Sequence, residues 1–278
     1  MTIESASIFC NVLRKVLQSG GFNLTKFTSS HSEILRTFPT EALAESVKDL
    51  NLTGKTGTTL GLTWNMETDA FSFDSIPQEE NVTFTKRGIT STIASIFDPI
   101  GLLAPVITTA KIILSTIFSR KSDWDDKLND SEEKTFKKWL RGLTHVKGLK
   151  IPRCAIPKDF GRVVRNELHV LCDGAESAYG SVAYRRIINE NFNVHCQFLM
   201  AKSRVCPKKG KLTIPKIELA GACLATRLAA IVKKESESNF DSVTYWTDSM
   251  SNLRYIQNKT SRFKVFVANK LDEIHTRS

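Results

Sequence analysis

Three carboxylate residues occupy positions from which they could act together on a phosphodiester. Asp173 follows a short apolar run, Glu218 stands near the start of a long helical pattern, and Asp248 follows a second apolar run. Mg²⁺ prefers oxygen ligands, usually one or two carboxylates together with water and substrate phosphate. Two such ions about 3.5–4 Å apart can activate a water molecule and stabilise the leaving oxygen. Three acids gathered from two strand ends and one helix could therefore hold Mg²⁺ (or Mn²⁺) for metal-dependent hydrolysis.

The same acids also fit a purely structural interpretation. The chain has 29 acidic residues, and some of them must fall at strand ends and helix starts. An acid in the first turn of a helix is favoured by the helix dipole alone. Residue type and spacing leave both interpretations open.

The second half of the chain predicts the elements that would hold these acids. Apolar or alternating runs predict three strands of an antiparallel meander, then a long helix, a fourth strand and another helix. These elements lie at 167–172, 179–188, 194–202, about 216–234, 243–247 and 249–257. Asp173 and Asp248 would each end a strand, and Glu218 would occupy the first turn of the long helix. Trp246, in the fourth strand, is expected to pack in the core.

The first half predicts mainly helices with one β-hairpin. Apolar spacing, glycines, prolines and capping residues set the limits of its elements. Helices are expected at 3–19, at 40–50, within 85–118 with breaks at Asp98-Pro99 and near Pro105, and from Asp130 or Ser131 to 140; a short strand is expected at 22–27 and a hairpin from 58–64 and 71–73. Trp64, in this hairpin, is expected to be a core residue. Glycines and prolines make 147–165 the best linker.

Cysteine usage and hydropathy bear on the compartment. The six cysteines lack C-x-x-C pairing, which argues against a zinc knuckle, and no secretory signal precedes them. The most apolar stretches, 106–118 and 219–232, are interrupted by Lys111 and Arg227 and fall short of a membrane span. We expect reduced thiols in an intracellular protein, cytoplasmic or nuclear, with no membrane partner. Cys172 is expected to be a buried structural thiol rather than a nucleophile.

Longer motifs around the three acids resemble the ribonuclease H region of BEL/Pao-type LTR retrotransposon pol polyproteins. LHVLCDGAESAYGSVAY (168–184) resembles its first strand-turn-strand, KLTIPKIELAGACLATRLA (211–229) resembles its T-I-P-x-x-E-L segment, and VTYWTDSMSNLRYI (243–256) resembles its W-T-D-S motif. The resemblance implies hydrolysis of the RNA strand of RNA–DNA hybrids. It also implies three residues that are both metal ligands and catalytic, Asp173, Glu218 and Asp248.

The resemblance extends upstream and covers nearly the whole chain. GGFNLTKFTSS (20–30), TTLGLTWN (58–65) and TKRGITSTIASIFDPIGLLAPV (85–106) are similar to the palm end, the following strand pair and the thumb of BEL/Pao reverse transcriptases. The implied fold is α/β in two regions. A reverse transcriptase palm-end and thumb/connection remnant, mainly helical with a β-hairpin, occupies 1–150. An incomplete ribonuclease H-like domain, truncated at its C-terminus, occupies 166–278.

The charge balance and the resemblance together indicate the partners. The chain carries 39 basic and 29 acidic residues, a formal net charge of +10 at pH 7, and contacts of basic side chains with phosphates release counterions. We expect nucleic acid, as an RNA–DNA hybrid or a template-primer duplex, and the rest of the pol polyprotein. The residues expected to contact phosphate are Lys86, Arg87, Lys208, Lys209 and Lys211. A solvated loop or strand edge is the alternative for each.

Two activities of such polyproteins are not expected here. A reverse transcriptase needs paired aspartates on a Y-x-D-D-like hairpin, and the nearest match, Trp124-Asp125-Asp126, is expected to be a solvated turn. An aspartic peptidase needs D-T-G or D-S-G. The chain has only Asp74-Ser75-Ile76 and Asp248-Ser249-Met250, which lack the glycine.

The final segment departs from the family pattern. Family members complete the site with a fourth acidic or histidine residue on a later strand-helix unit. Asp272 and Glu273 fall too early for this role, and His275 is expected to be an exposed tail residue. We therefore expect a partial two-metal site that is weak or inactive alone. The alternative is a non-enzymatic nucleic-acid-binding or relic protein of transposon origin.

Overall fold

The computed structural model describes residues 2–48, 56–59, 62–73, 76–157, 159–208, 210, 212–236, 239–258, 260 and 262–278. They group into two compact units, Met1–Ser75 with His145–Cys154 and Ile76–Thr144 with Ala155–Ser278. No helix in the described part of the chain is both long enough and apolar enough to cross a membrane.

The first unit combines two helices with a small antiparallel sheet. The helices are α1 (Ile3–Ser19) and α2 (Ser32–Leu35). The strands, in spatial order, are β1 (Thr56–Thr59), β2 (Leu62–Asn65), β3 (Ala70–Ser72) and β4 (Ile151–Pro152). The predicted bounds of α1 are confirmed, and the expected hairpin is present as β2 and β3. β4 lies inside the predicted linker and pairs with β3.

Two predictions in this unit are wrong for one common reason. Residues 22–27 form no strand beyond a single bridge from Phe27 to Leu43, and 40–48 contain two short 3-10 turns instead of an α-helix. Residues 49 and 50 lie outside the described ranges. The Phe27 carbonyl accepts the Ala44 N–H, and its N–H donates to the Ala42 carbonyl, both at 2.9 Å. This pairing holds Leu43 extended, so a local helical pattern gives way to a long-range contact.

The second unit begins with three helices, α3 (Lys86–Ala94), α4 (Ala104–Phe118) and α5 (Asp130–Gly142). The break after α3 occurs where Asp98 accepts hydrogen bonds from the N–H groups of Leu102 and Leu103, each at 2.8 Å. Pro105 lies in the first turn of α4. A backbone N–H at this position would have no partner within the helix, so proline, which lacks that N–H, is well tolerated there. Asn129 caps α5 in a capping box with Glu132.

A four-stranded sheet with three further helices completes this unit. Its elements are β5 (Val163–Gly174), β6 (Ala178–Asn189), β7 (Val194–Val205), α6 (Ile214–Glu235), β8 (Ser242–Trp246), α7 (Met250–Gln257) and α8 (Val265–Arg277). The strand order is β7-β6-β5-β8, with an antiparallel meander from β5 to β7 and β8 parallel to β5. The predicted α/β character is confirmed. The meander strands are longer than expected, and α8 was not expected.

The long helix α6 packs on one face of this sheet. Leu228, Ala225 and Ala229 of α6 form a buried cluster with Leu168 and Val170 of β5. Alanines at the contact let the helix lie close to the strands. On its other side, α6 contacts Leu271 and Ile274 of α8 through a second apolar cluster, and the Arg227 guanidinium pairs with Glu273. This packing fixes α6 relative to the end of β5.

The connection between α3 and α4 docks on β7. The Ala201 N–H donates to the Ile100 carbonyl at 2.8 Å, and the Thr108 and Ser203 hydroxyls are hydrogen-bonded to each other. The helices α3 to α5 thus belong to the same compact unit as β5 to β8. The units do not coincide with the predicted regions 1–150 and 166–278. The origin of residues 1–150 in a reverse transcriptase stays a prediction.

Candidate active site

Asp173 and Asp248 lie at the same edge of the large sheet. Because β5 and β8 run parallel, with Leu171 opposite Trp246, the residues two positions further along each chain, Asp173 and Asp248, lie at neighbouring positions. Asp173 is still paired with β6, whereas Asp248 follows the end of β8. Both side chains are exposed, and both line one open cleft of about 880 Å³. The Gly174 N–H donates to Asp173 Oδ1 at 2.6 Å. Strand pairing thus brings together two of the three predicted carboxylates.

Glu218 lies in the second turn of α6 rather than in the first, and its side chain is half-buried. Its Oε2 accepts a hydrogen bond from Ser249 Oγ at 2.5 Å. The helix passes close to the end of β5: a Cβ added at Gly174 would lie 2.9 Å from Glu218 N, and one at Gly221 would lie 3.2 Å from Asp173 O. Two glycines thus allow the backbone of Glu218 to approach the strand that carries Asp173.

The donor atoms at this edge suit a hard divalent cation. Carboxylate oxygens are the ligands that Mg²⁺ prefers, and one or two of them are its usual share from a protein. Asp173 and Asp248 meet that requirement. In the described ranges, however, no group of three or more His, Cys, Asp or Glu side chains is arranged to hold a metal ion. A triad including Glu218 therefore stays a prediction, and the aspartate pair is what the geometry supports.

The cleft has a basic side chain that sequence patterns did not reveal. Lys202 of β7 is exposed and lines the cleft together with the two aspartates. Across the sheet it stands opposite Ser181. Gly101 and Pro105 line the same cleft. The position of Lys202 in the cleft depends on strand pairing and on the docking of α4, neither of which leaves a local signal around a single lysine.

Trp246 is 52% exposed, so the expectation that it packs in the core is wrong. It lines the cleft, and its indole N–H donates to His169 Nδ1 at 3.1 Å. Among the described strands, β8 is paired on one side only. An apolar residue of such a strand can stay exposed on the face away from the helix. Trp64, in the first unit, is half-buried and packs against a buried apolar cluster that includes Leu35 and Met66.

The five residues expected to contact phosphate have different environments. Lys86 is 5% exposed, and its amine donates to the carbonyls of Arg120 and Ser122. This burial is incompatible with the predicted phosphate contact, because the ammonium is already satisfied within the fold. Arg87 is exposed and forms two hydrogen bonds to Asp125. Lys208 is exposed and donates to Thr116 Oγ1 at 3.0 Å. The remaining two, Lys209 and Lys211, lie outside the described residues.

The Trp124-Asp125-Asp126 segment is a solvated turn, as expected. Asp125 is engaged by Arg87, and Asp126 accepts the backbone N–H of Asp123 at 2.9 Å. The Arg87 guanidinium holds the pKa of Asp125 below its ordinary value. Both carboxylates thus have structural partners in an exposed loop.

Cys172 is not a candidate nucleophile. Burial raises the pKa of its thiol to about 11, and the neighbouring carboxylates of Asp173 and Asp248 act in the same direction. A thiolate is the nucleophilic form of cysteine, and little of it exists at neutral pH when the pKa is so high. The thiol instead packs beside the α6 cluster.

Two arginines pair with a buried carboxylate on the strand that carries Asp173. The Glu167 side chain is 8% exposed and accepts from Arg186 at 2.6 Å and from Arg165 at 2.7 Å. His169 Nε2 lies 3.3 Å from the same carboxylate. The Arg186 hydrogen bond lowers the pKa of Glu167 below its ordinary value, although burial opposes that shift.

We expect Glu167→Gln to lower the free energy of unfolding at pH 7 by about 1–2 kcal/mol. A lowered folded-state pKa contributes stability above the unfolded pKa, and this stability is lost as the pH falls through the folded pKa. The difference between wild type and variant should therefore shrink below about pH 4.5. Urea unfolding from pH 7 down to about pH 3.5 measures this. Glu176→Gln, at an exposed site, is the control; a pH-independent difference would contradict the ionic explanation.

The model of the Pao retrotransposon-like RNaseH-like domain matches residues 85–249, more than half of the chain. Among solved structures, a foamy viral protease-reverse transcriptase dRH in complex with double-stranded DNA is similar at 14% identity, with 88% of this chain and 40% of that chain covered and a TM-score of 0.49. The chain thus spans less than half of that protein.

A second similar structure is RNase H1 from the halophilic archaeon Halobacterium salinarum NRC-1, at 13% identity, with 40% of this chain and 75% of that chain covered and a TM-score of 0.27. Both TM-scores lie below 0.5, too low to establish a common fold. No curated protein matches the chain.

Proposed function

The chain belongs to the family of Pao retrotransposon-like RNase H-like domains, and we propose that it cuts the RNA strand of RNA–DNA hybrids with Mg²⁺ or Mn²⁺. The observation that carries this proposal is the parallel pairing of β5 with β8. It sets Asp173 and Asp248 side by side at the edge of a cleft that is open to a bound strand. The family match supports nucleic acid as the phosphodiester substrate.

The residues of the cleft have separate tasks in this proposal. Asp173 and Asp248 would hold the divalent ion through carboxylate oxygens, and the Gly174 N–H orients the Asp173 carboxylate. When bound, the ion supplies Lewis-acid stabilisation for phosphodiester hydrolysis. Lys202 would bind a phosphate oxygen of the strand in the same cleft. Glu218 would be a further ligand from α6, where its carboxylate accepts a hydrogen bond from Ser249, the residue that follows Asp248.

Charge supports a polyanionic partner. The net charge of +10 favours association with phosphate backbones, and such binding weakens with salt as counterions compete. Arg87 and Lys208 are the exposed members of the predicted basic set in the described ranges. We propose that these two, with Lys202, contact the hybrid. Lys86 is left out because its amine is buried.

A labelled RNA–DNA hybrid with Mg²⁺ or Mn²⁺ tests the activity. We expect metal-dependent cutting of the RNA strand by the wild type and its loss in Asp173→Asn. Asp272→Asn, an exposed aspartate of α8, is the matched control and should cut like the wild type. A folded wild-type protein that leaves the RNA intact at every metal concentration would refute the enzymatic proposal.

A non-enzymatic nucleic-acid-binding role is the second candidate. It is favoured by one observation, the net charge of +10, which supports binding to phosphate backbones without any bound metal. Under this alternative, the protein binds the hybrid with an affinity that falls as the salt concentration rises. Neither Mg²⁺ nor Mn²⁺ changes that affinity, and neither strand of the hybrid is cut. Fluorescence anisotropy of the same hybrid, with and without metal, separates this outcome from cleavage.

We also propose a reverse transcriptase origin for residues 1–150, with the rest of the pol polyprotein as partner. Support comes from the similarity of GGFNLTKFTSS, TTLGLTWN and the 85–106 motif to the palm end, strand pair and thumb. An experimental structure of the longer polyprotein would test this origin. The proposal requires α3 and α4 to superpose on a thumb beside a complete palm.

A further inference from the structure

A buried polar cluster joins the first turn of α7 to the turn of α6 that carries Glu218. Ser249, which caps α7, is 7% exposed, and Asn252 is fully buried. Buried polar groups are costly unless they are hydrogen-bonded, and satisfied networks fix a unique arrangement. The contacts of these two side chains are therefore informative about what they hold in place.

The Asn252 amide spans one turn of α6. In the orientation that satisfies both ends, its oxygen accepts from the Leu219 N–H at 3.0 Å and its nitrogen donates to the Pro215 carbonyl at 3.2 Å. These two backbone groups lie on either side of Glu218. The amide thus fixes the stretch of helix from which the Glu218 side chain extends.

The Ser249 hydroxyl holds the carboxylate itself. It accepts the Asn252 backbone N–H at 3.3 Å, and it donates to Glu218 Oε2 at 2.5 Å. In the same orientation of Asn252, its amide oxygen lies 3.2 Å from the Ser249 hydroxyl oxygen. A hydroxyl has one proton to donate, so the amide oxygen and the Glu218 carboxylate compete for it, and the shorter contact favours the carboxylate. Ser249 directly follows Asp248, so this hydrogen bond ties the position of Glu218 to the end of β8.

We propose that Ser249 and Asn252 are positioning residues that fix Glu218 relative to the aspartate pair of the cation site. Asn252 sets the helix backbone, and Ser249 sets the carboxylate. The inference rests on the proposed function, in which Asp173 and Asp248 bind a divalent ion and Glu218 is a further ligand. Partners that orient metal ligands typically contribute about 10–100-fold to metal affinity.

Mn²⁺ titration of the full chain, followed by electron paramagnetic resonance, tests this inference without relying on turnover. We expect Ser249→Ala to weaken Mn²⁺ binding about tenfold and Ser249→Thr, which keeps the hydroxyl, to restore most of the affinity. Ser251→Ala makes the same change at an exposed position of the same helix and should bind like the wild type. Thermal unfolding of each metal-free protein reports any loss of structure separately.

The outcomes distinguish the two levels of the argument. If the wild type binds Mn²⁺ and Ser249→Ala binds it equally well, the positioning role is wrong while the cation site stands. If the wild type binds no Mn²⁺, the proposed function is wrong and the inference falls with it. If Ser249→Ala and Ser249→Thr are weakened to the same extent, a packing change explains the loss and the hydroxyl has no positioning role.

Discussion

Replacing Asp248 by asparagine should lower the rate of metal-dependent RNA cleavage on the order of 1000-fold while leaving the protein folded. Asparagine keeps the shape of the side chain but removes its negative charge. Stabilisation by a bound metal contributes several kcal/mol to such reactions, and about 4 kcal/mol corresponds to a 1000-fold change in rate. Asp248 is exposed at the end of β8, so its loss should cost little stability. Single-turnover cleavage rates and thermal unfolding measure the two effects.

The ranking of the carboxylates is part of the same expectation. Asp173→Asn should be as severe as Asp248→Asn, because both side chains extend from adjacent strand ends into one cleft. Glu218→Gln should cost less, because Glu218 is half-buried in α6 whereas both aspartates are exposed in the cleft. A larger loss in Glu218→Gln than in either aspartate variant would show that the aspartate pair is not the centre of the site.

Gly101→Ala should lower the free energy of unfolding by about 3 kcal/mol or more. Gly101 has a φ of +81°, a conformation that costs other residues about 1–2 kcal/mol. An added Cβ would also lie 2.1 Å from the Ala201 carbonyl oxygen. That oxygen belongs to the backbone of β7, so the α3–α4 connection must move away from the strand. Urea unfolding of the full chain measures the loss.

Gly142→Ala provides the matched control for this effect. Gly142 ends α5, and a Cβ there would meet nothing within 4 Å. Alanine is a better helix former than glycine, so this variant should be as stable as the wild type or slightly more stable. Equal stabilities of Gly101→Ala and the wild type would show that the connection tolerates displacement from β7.

Local sequence patterns predicted the elements whose signals are local. Alternation and apolar runs located β5 to β8, and helical spacing located α1 and α6. The carboxylates near the ends of β5 and β8 followed from those runs, because each directly follows an apolar or alternating segment, although Asp173 itself is still paired within the sheet. The parallel pairing of β8 with β5 could not be predicted from local patterns, because it depends on contacts between segments that are distant in sequence.

The features that sequence patterns missed depend on partners far along the chain. The sequence around Lys86 predicts a surface lysine. Its amine is instead buried and donates to the backbone carbonyls of Arg120 and Ser122, more than 30 residues away in sequence. The sequence of α8 mixes polar and apolar residues without a clear helical period. Its buried face is evident only from the packing of Leu271 and Ile274 on α6. The network of Ser249 and Asn252 is of the same type, because two polar residues after a strand give no sign of burial.

The parallel pairing of β5 with β8 also sets an order of assembly. Strands β5 to β7 are joined by short turns, and short loops close quickly. β8 must instead find a partner across a long separation, as the 75-residue distance from Asn166 to Asp241 shows, and long-range pairings form late because their loop-closure entropy must be overcome first. We therefore expect the meander of β5 to β7 to form before β8 pairs with β5 and brings Asp248 to the edge of the sheet that carries Asp173.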